Sequence, residues 1–145
     1  MSTFWRYWLL VWCAGVFVFG LVLAGGAFEA TSAPVRMIYE NLQGPADLVL
    51  DPAMRFTLAV MGCVSLGWAA TMFLMMRLAF SFGDRARPVW MGLTLGVLVW
   101  FVTDSTLSVA TGYGLNVVPN TLLLSTYLIA IFASGALKQK GSQDG

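Results

Sequence analysis

The sequence predicts an all-α integral membrane protein, an antiparallel bundle of four helices with both termini in the cytoplasm. Three observations carry this. The 145 residues are 59% hydrophobic and only 10% charged, far too little charge to cover the surface of a soluble domain. The apolar residues fall in four long runs, each near the length that crosses a hydrocarbon core of about 30 Å. The basic residues are unevenly shared between the connections, with Arg6, Arg77, Arg85, Arg87, Lys138 and Lys140 on one side and Arg36 and Arg55 on the other. The positive-inside rule then sets the orientation. One membrane domain covers 1–145, with spans at about 7–28, 53–76, 88–111 and 119–137.

In chain order, Arg6 lies among Phe4, Trp5, Tyr7 and Trp8, the pattern of an interfacial belt. Residues 7–28 carry no charge. Their apolar run exceeds the usual signal-peptide core, so the segment is expected to stay as an uncleaved first span. The connection 29–52 is acidic, holding Glu29, Glu40, Asp47 and Asp51 against Arg36, and is assigned to the outside. Within it, residues 35–42 place Met37, Ile38 and Leu42 on one side of a short interfacial helix. Asp51-Pro52 is a helix start, a capping carboxylate followed by proline at the first helical position. The second span is expected to end near Met76, before a basic cytoplasmic loop at 77–87. Pro88 opens the third span, and Gly112-Tyr113-Gly114 closes it. Pro119 opens the fourth, and a polar tail follows at 138–145.

Composition also excludes chemistry. With no histidine, the chain lacks imidazole ligands for haem or zinc and lacks a histidine base. Cys13 and Cys63 both lie in apolar runs and form no CxxC, so they read as small buried residues. No basic stripe points to nucleic acid. No nucleophile elbow, phosphate loop or dinucleotide fingerprint is present, and no metal or cofactor ligand set emerges.

The residue that stands out is Asp104, a carboxylate inside the third apolar run. It lies sixteen residues beyond Pro88, about 24 Å along a helix axis, and so toward the outer leaflet. Arg55 sits in the first turn of the second span, at similar depth on an antiparallel neighbour. A charge within a membrane is costly and is usually paired, so an Arg55–Asp104 pair is expected. Ser105, Ser108, Asn116, Asn120 and Glu29 gather at the same end. Together they form either a structural clasp or a polar pocket for an ion or small solute. Gly62, Gly67, Gly92 and Gly96 are the candidate packing positions, the last two as a GxxxG. Met72, Met75 and Met76 read as adaptable packing. Trp5, Trp8, Trp12 and Trp90 read as belt residues.

The stretches DPAMRFTLAVMGCVSLGWA and FVTDSTLSVATGYGLNVVPN resemble a group of small, uncharacterised bacterial four-helix membrane proteins, broadly DoxX-like. The matching positions are Arg55, Gly62, Gly67, Asp104, Ser105, Asn116 and Asn120. The resemblance implies a four-helix fold in a bacterial cytoplasmic membrane. By analogy with relatives in quinone-linked sulfur oxidation and oxidant detoxification, a quinone is the one cofactor it implies. Three functions follow as expectations. The first is a non-enzymatic accessory or structural subunit acting through helix packing, in a homo-oligomer or a larger membrane complex. The second is a small transporter or channel using the pocket around Arg55 and Asp104. The third is a quinone-linked redox accessory. The bilayer is a partner in each, and nucleic acid in none.

Overall fold

The computed structural model describes residues 1–45 and 47–138, so Lys140 and all but the first residue of the polar tail lie outside the described residues. The described residues contain helices and turns and no strand. Helix α1 covers Thr3–Gly25, α2 Ala33–Leu42, α3 Pro52–Phe82, α4 Arg87–Ala110 and α5 Val117–Ala133. Short 3₁₀ turns precede α2, α4 and α5.

Three uninterrupted helical stretches are long and apolar enough to cross a membrane: Thr3–Gly25, Pro52–Ala110 and Gly114–Ala133. The middle one doubles back at Gly83, whose φ of +55° lies where side chains are disfavoured, and becomes the two arms α3 and α4. Four long helices result. α1 packs on α3 and α5, and α4 packs on the same two, closing a ring in which consecutive long helices run in opposite directions. Large apolar side chains face outward on every arm, including Val11, Phe56, Leu95 and Phe132. An exterior of this kind suits an apolar solvent, in which backbone groups satisfied within helices are required.

Local chemistry explains the boundaries. The Asp51 carboxylate accepts the Met54 N–H at 2.7 Å, and Pro52 occupies the first turn, so α3 starts where the aspartate–proline pair places it. α3 then runs to Phe82, past the expected stop at Met76, because nothing between those residues breaks a helix. Arg77 is therefore helical, and the basic loop shrinks to the turn Gly83–Ala86. α1 begins and ends a few residues earlier than its apolar run, closing at the paired glycines Gly25 and Gly26.

The bundle has a basic end, with Arg6, Arg77, Arg85, Arg87 and Lys138, and an acidic end, with the connection that carries α2. The main core fills the basic half and the middle, from Leu9, Trp12 and Val16 across Met72, Met76, Trp90 and Val97 to Tyr127 and Ile131. A smaller cluster at the acidic end packs Leu23 and Leu58 beneath Val35 of α2. That second cluster seats α2 as a cap over α1 and α3.

Candidate functional site

Asp104 lies one turn beyond Trp100 on α4, half-buried and facing the start of α5. Asn116 and Asn120 are four residues apart, so they present their amides on one face of the α5 N-terminus. The Asn116 Nδ2 donates to Asp104 Oδ2 at 2.9 Å and to Ser108 Oγ at 2.9 Å. The Asn120 Nδ2 donates to the same carboxylate oxygen and to Ser105 Oγ at 3.3 Å. Each amide thus divides its two N–H groups between the carboxylate and a serine. Ser105 and Asn120 are 8% and 6% exposed, so their hydrogen bonds form away from solvent. The carboxylate lies beside the first turn of α5, where the helix dipole favours negative charge. Hydrogen bonds to a charged group contribute roughly 1.5–3 kcal/mol each. This knot therefore ties α4 to α5 at the acidic end.

The expected Arg55–Asp104 pair is not made. Among the described residues no ion pair joins these two groups. Arg55 instead pairs with Glu29 through Nη2, donates from Nη1 to the Gly26 carbonyl at 3.3 Å, and donates from Nε to the Leu50 carbonyl at 3.1 Å. Glu29 also meets Arg36 Nη2 at 3.3 Å. The hydrogen bond from Arg55 holds the Glu29 carboxyl below its ordinary 4.5, against desolvation, with Arg36 adding to the pull. The physical reason for the change of partner is connectivity. Glu29 follows directly on α1, the helix packed most extensively on α3, and the turn after Gly25 carries it over Arg55. From the level where Trp68 meets Trp100, Asp104 lies four residues further out on α4 and Arg55 thirteen residues further out on α3, about 6 and 20 Å along their axes. The two groups are therefore not at one depth, and Asp104 turns to α5.

The expected set therefore divides in two. Asp104, Ser105, Ser108, Asn116 and Asn120 form one cluster on α4 and α5. Arg55, Glu29 and Arg36 form a latch joining the α1–α2 turn, α2 and α3. Two surface cavities, of about 310 and 440 Å³, are lined by neither Asp104 nor Arg55.

The packing glycines divide as well. A Cβ on Gly62 would stand 2.3 Å from the Ala24 nitrogen and 2.7 Å from its Cα, so α1 and α3 touch backbone to backbone there. Gly20, unmarked in the sequence reading, makes the matching approach to Leu66. Gly67, Gly92 and Gly96 would meet nothing within 4 Å, so they are not packing positions within this chain. Cys13 is buried, with its thiol 3.5 Å from Met76 Sδ, whereas Cys63 is exposed and not the buried residue expected.

Between the basic-end core and the knot lies an aromatic layer. Trp12 of α1 contacts Trp68 of α3 and Tyr127 of α5, with ring centroids at 6.2 and 5.4 Å, and Trp68 contacts Trp100 of α4 at 5.7 Å. The Tyr127 hydroxyl and Thr94 of α4 lie 3.1 Å apart. The Trp8 and Trp12 indoles donate to the Thr126 and Leu123 carbonyls of α5 at 3.0 and 2.9 Å. Trp12 and Trp90 are buried members of the core, not belt residues. Tyr127 had no sequence signal beyond its type, because nothing local says that a tyrosine in an apolar run faces inward. No protein-family model matches the chain, and no curated protein or solved structure matches it either.

Proposed function

We propose that the chain is a non-enzymatic multi-pass protein of a bacterial cytoplasmic membrane, with both termini inside, acting as a structural or accessory subunit through helix packing. The observation that carries this is the mutual satisfaction of its polar groups. The carboxylate in the apolar spans is held by two amides of the same chain, and the half-buried guanidinium by a carboxylate and two carbonyls. Such groups serve as fastenings between helices, and their hydrogen bonds are made within the chain. The aromatic layer supports the same reading, because its ring contacts join all four long helices across the middle of the bundle.

Purification of the full chain in a mild detergent tests the accessory role. An oligomer or a co-purifying membrane partner is expected; a strictly monomeric species that brings nothing with it overturns the assignment. Proteoliposomes separate it from the transporter reading, since the parent chain is expected to pass no ion or small polar solute. The knot has its own check. Asp104→Ala and Asn120→Ala should each lower stability by about 1–3 kcal/mol, and the double variant should lose clearly less than the sum. Additive losses would mean that the two side chains do not act together.

A further inference from the structure

The knot around Asp104 has an unbalanced charge. Among the described residues no cation lies within ion-pairing distance of this carboxylate, and a carboxylate withdrawn from water without a counter-charge is expensive. The two amides supply dipoles, and the α5 N-terminus supplies roughly half an elementary charge. Neither adds the full positive charge that would make the cluster neutral.

The same side chains contain a ligand set. Asn116 and Asn120 place their Nδ2 atoms against Asp104 Oδ2, and each also reaches a serine hydroxyl. Rotating either amide by half a turn exchanges donor for acceptor at the same place. With both rotated, the cluster presents the Asp104 carboxylate, two amide oxygens and the Ser105 and Ser108 hydroxyls toward one region. Oxygens gathered in this way repel one another unless a hard cation sits between them. The ion's class follows from the charge. One carboxylate neutralises one positive charge, so a monovalent ion leaves the site neutral, whereas a divalent ion leaves an excess charge among apolar helices. The described residues hold no group of three histidine, cysteine or acidic ligands, so a transition metal does not suit the site. We propose that Asp104, Asn116, Asn120, Ser105 and Ser108 bind a monovalent metal cation of sodium size, with the two asparagines turning from donors to ligands as it enters. The accessory reading does not depend on this, since the knot fastens α4 to α5 with or without an ion.

The test is the thermal midpoint of the purified full chain in detergent, in sodium chloride and in choline chloride at equal ionic strength. Sodium near a hundred times its dissociation constant should raise the midpoint by roughly 5–10 °C over choline. Asp104→Asn should abolish the difference. If Asp104→Asn does not fold, Ser108→Ala, which removes one ligand and leaves the carboxylate, should move the half-maximal sodium concentration upward by about tenfold, the loss of one good hydrogen-bond-scale contact. Retention of radioactive sodium by the parent provides a readout independent of stability. Equal midpoints in sodium and choline, a sodium effect that persists in Asp104→Asn, or a sodium dependence unmoved by Ser108→Ala would each overturn the proposal. None of these results would alter the double-mutant coupling predicted for Asp104 and Asn120, so failure of the cation site and failure of the clasp remain distinguishable.

Discussion

Arg55 has three hydrogen-bonding nitrogens and uses each on a different partner, Glu29, Gly26 and Leu50. Glu29 is the only one of the three that can change charge, which makes the latch sensitive to acid. Its carboxyl is held below the ordinary 4.5, chiefly by the Arg55 hydrogen bond. A group whose folded value is depressed adds stability above its unfolded value, and that stability is lost as pH falls through the folded value. The parent should therefore melt higher than Glu29→Gln at neutral pH, and the two curves should converge in acid below the ordinary carboxylate range. A constant separation across that window would show that the Glu29 charge does not support the latch. Arg55→Met removes the donors to two carbonyls as well and should cost about 1–3 kcal/mol at neutral pH. Sequence reasoning found Arg55, Glu29 and Asp104 as the charges that matter at this end. It mispaired them because the end of α3 was placed too early: the helix continues to Phe82, which sets Arg55 further toward the acidic end than Asp104 when both are measured from the Trp68–Trp100 contact.

At the scale of helices, the contact between α1 and α3 rests on missing side chains. Gly62→Ala would set a methyl 2.3 Å from the Ala24 nitrogen, a backbone atom that can yield only if the helices separate. Overpacking of this kind costs typically about 1–3 kcal/mol. Gly96→Ala would meet nothing within 4 Å. Alanine there should be neutral or stabilising by up to about 1 kcal/mol, through helix propensity alone. Unfolding midpoints of the two variants in one detergent check the contrast, and equal losses would refute the close approach at Gly62. The spacing of small residues in α4 is the better-known pattern, yet the contact forms elsewhere. A GxxxG string states that a helix can be approached closely and not by what. The start of α3 was fully legible, because the Asp51 cap and Pro52 act within one turn. Its end was not, because hydropathy fades gradually past Met76 while the hydrogen-bonded ladder continues until Gly83.

For the molecule as a whole, the proposed orientation can be checked through the two ends of the bundle. Five described cations, Arg6, Arg77, Arg85, Arg87 and Lys138, gather at one end, while Glu29, Glu40, Asp47 and Asp51 lie at the other with Arg36 and Arg55. Cytoplasmic retention of basic segments during insertion would leave the first end inside and the α2 cap outside. Glu40 is exposed on α2, and Ser81 is exposed on the last turn of α3. Both can be replaced by cysteine in a background of Cys63→Ala, which removes the exposed native thiol, while Cys13 stays buried in the core. In intact spheroplasts a membrane-impermeant maleimide should label Glu40→Cys and leave Ser81→Cys unlabelled until the membrane is opened. The reverse pattern would invert the bundle and move the Asp104 knot to the cytoplasmic leaflet. Labelling of both positions before opening would mean that α3, about 46 Å long at 1.5 Å per residue, does not separate two compartments. The two reporters lie on one continuous helix-and-cap unit, so one labelling experiment decides between spanning and non-spanning as well as between the two orientations.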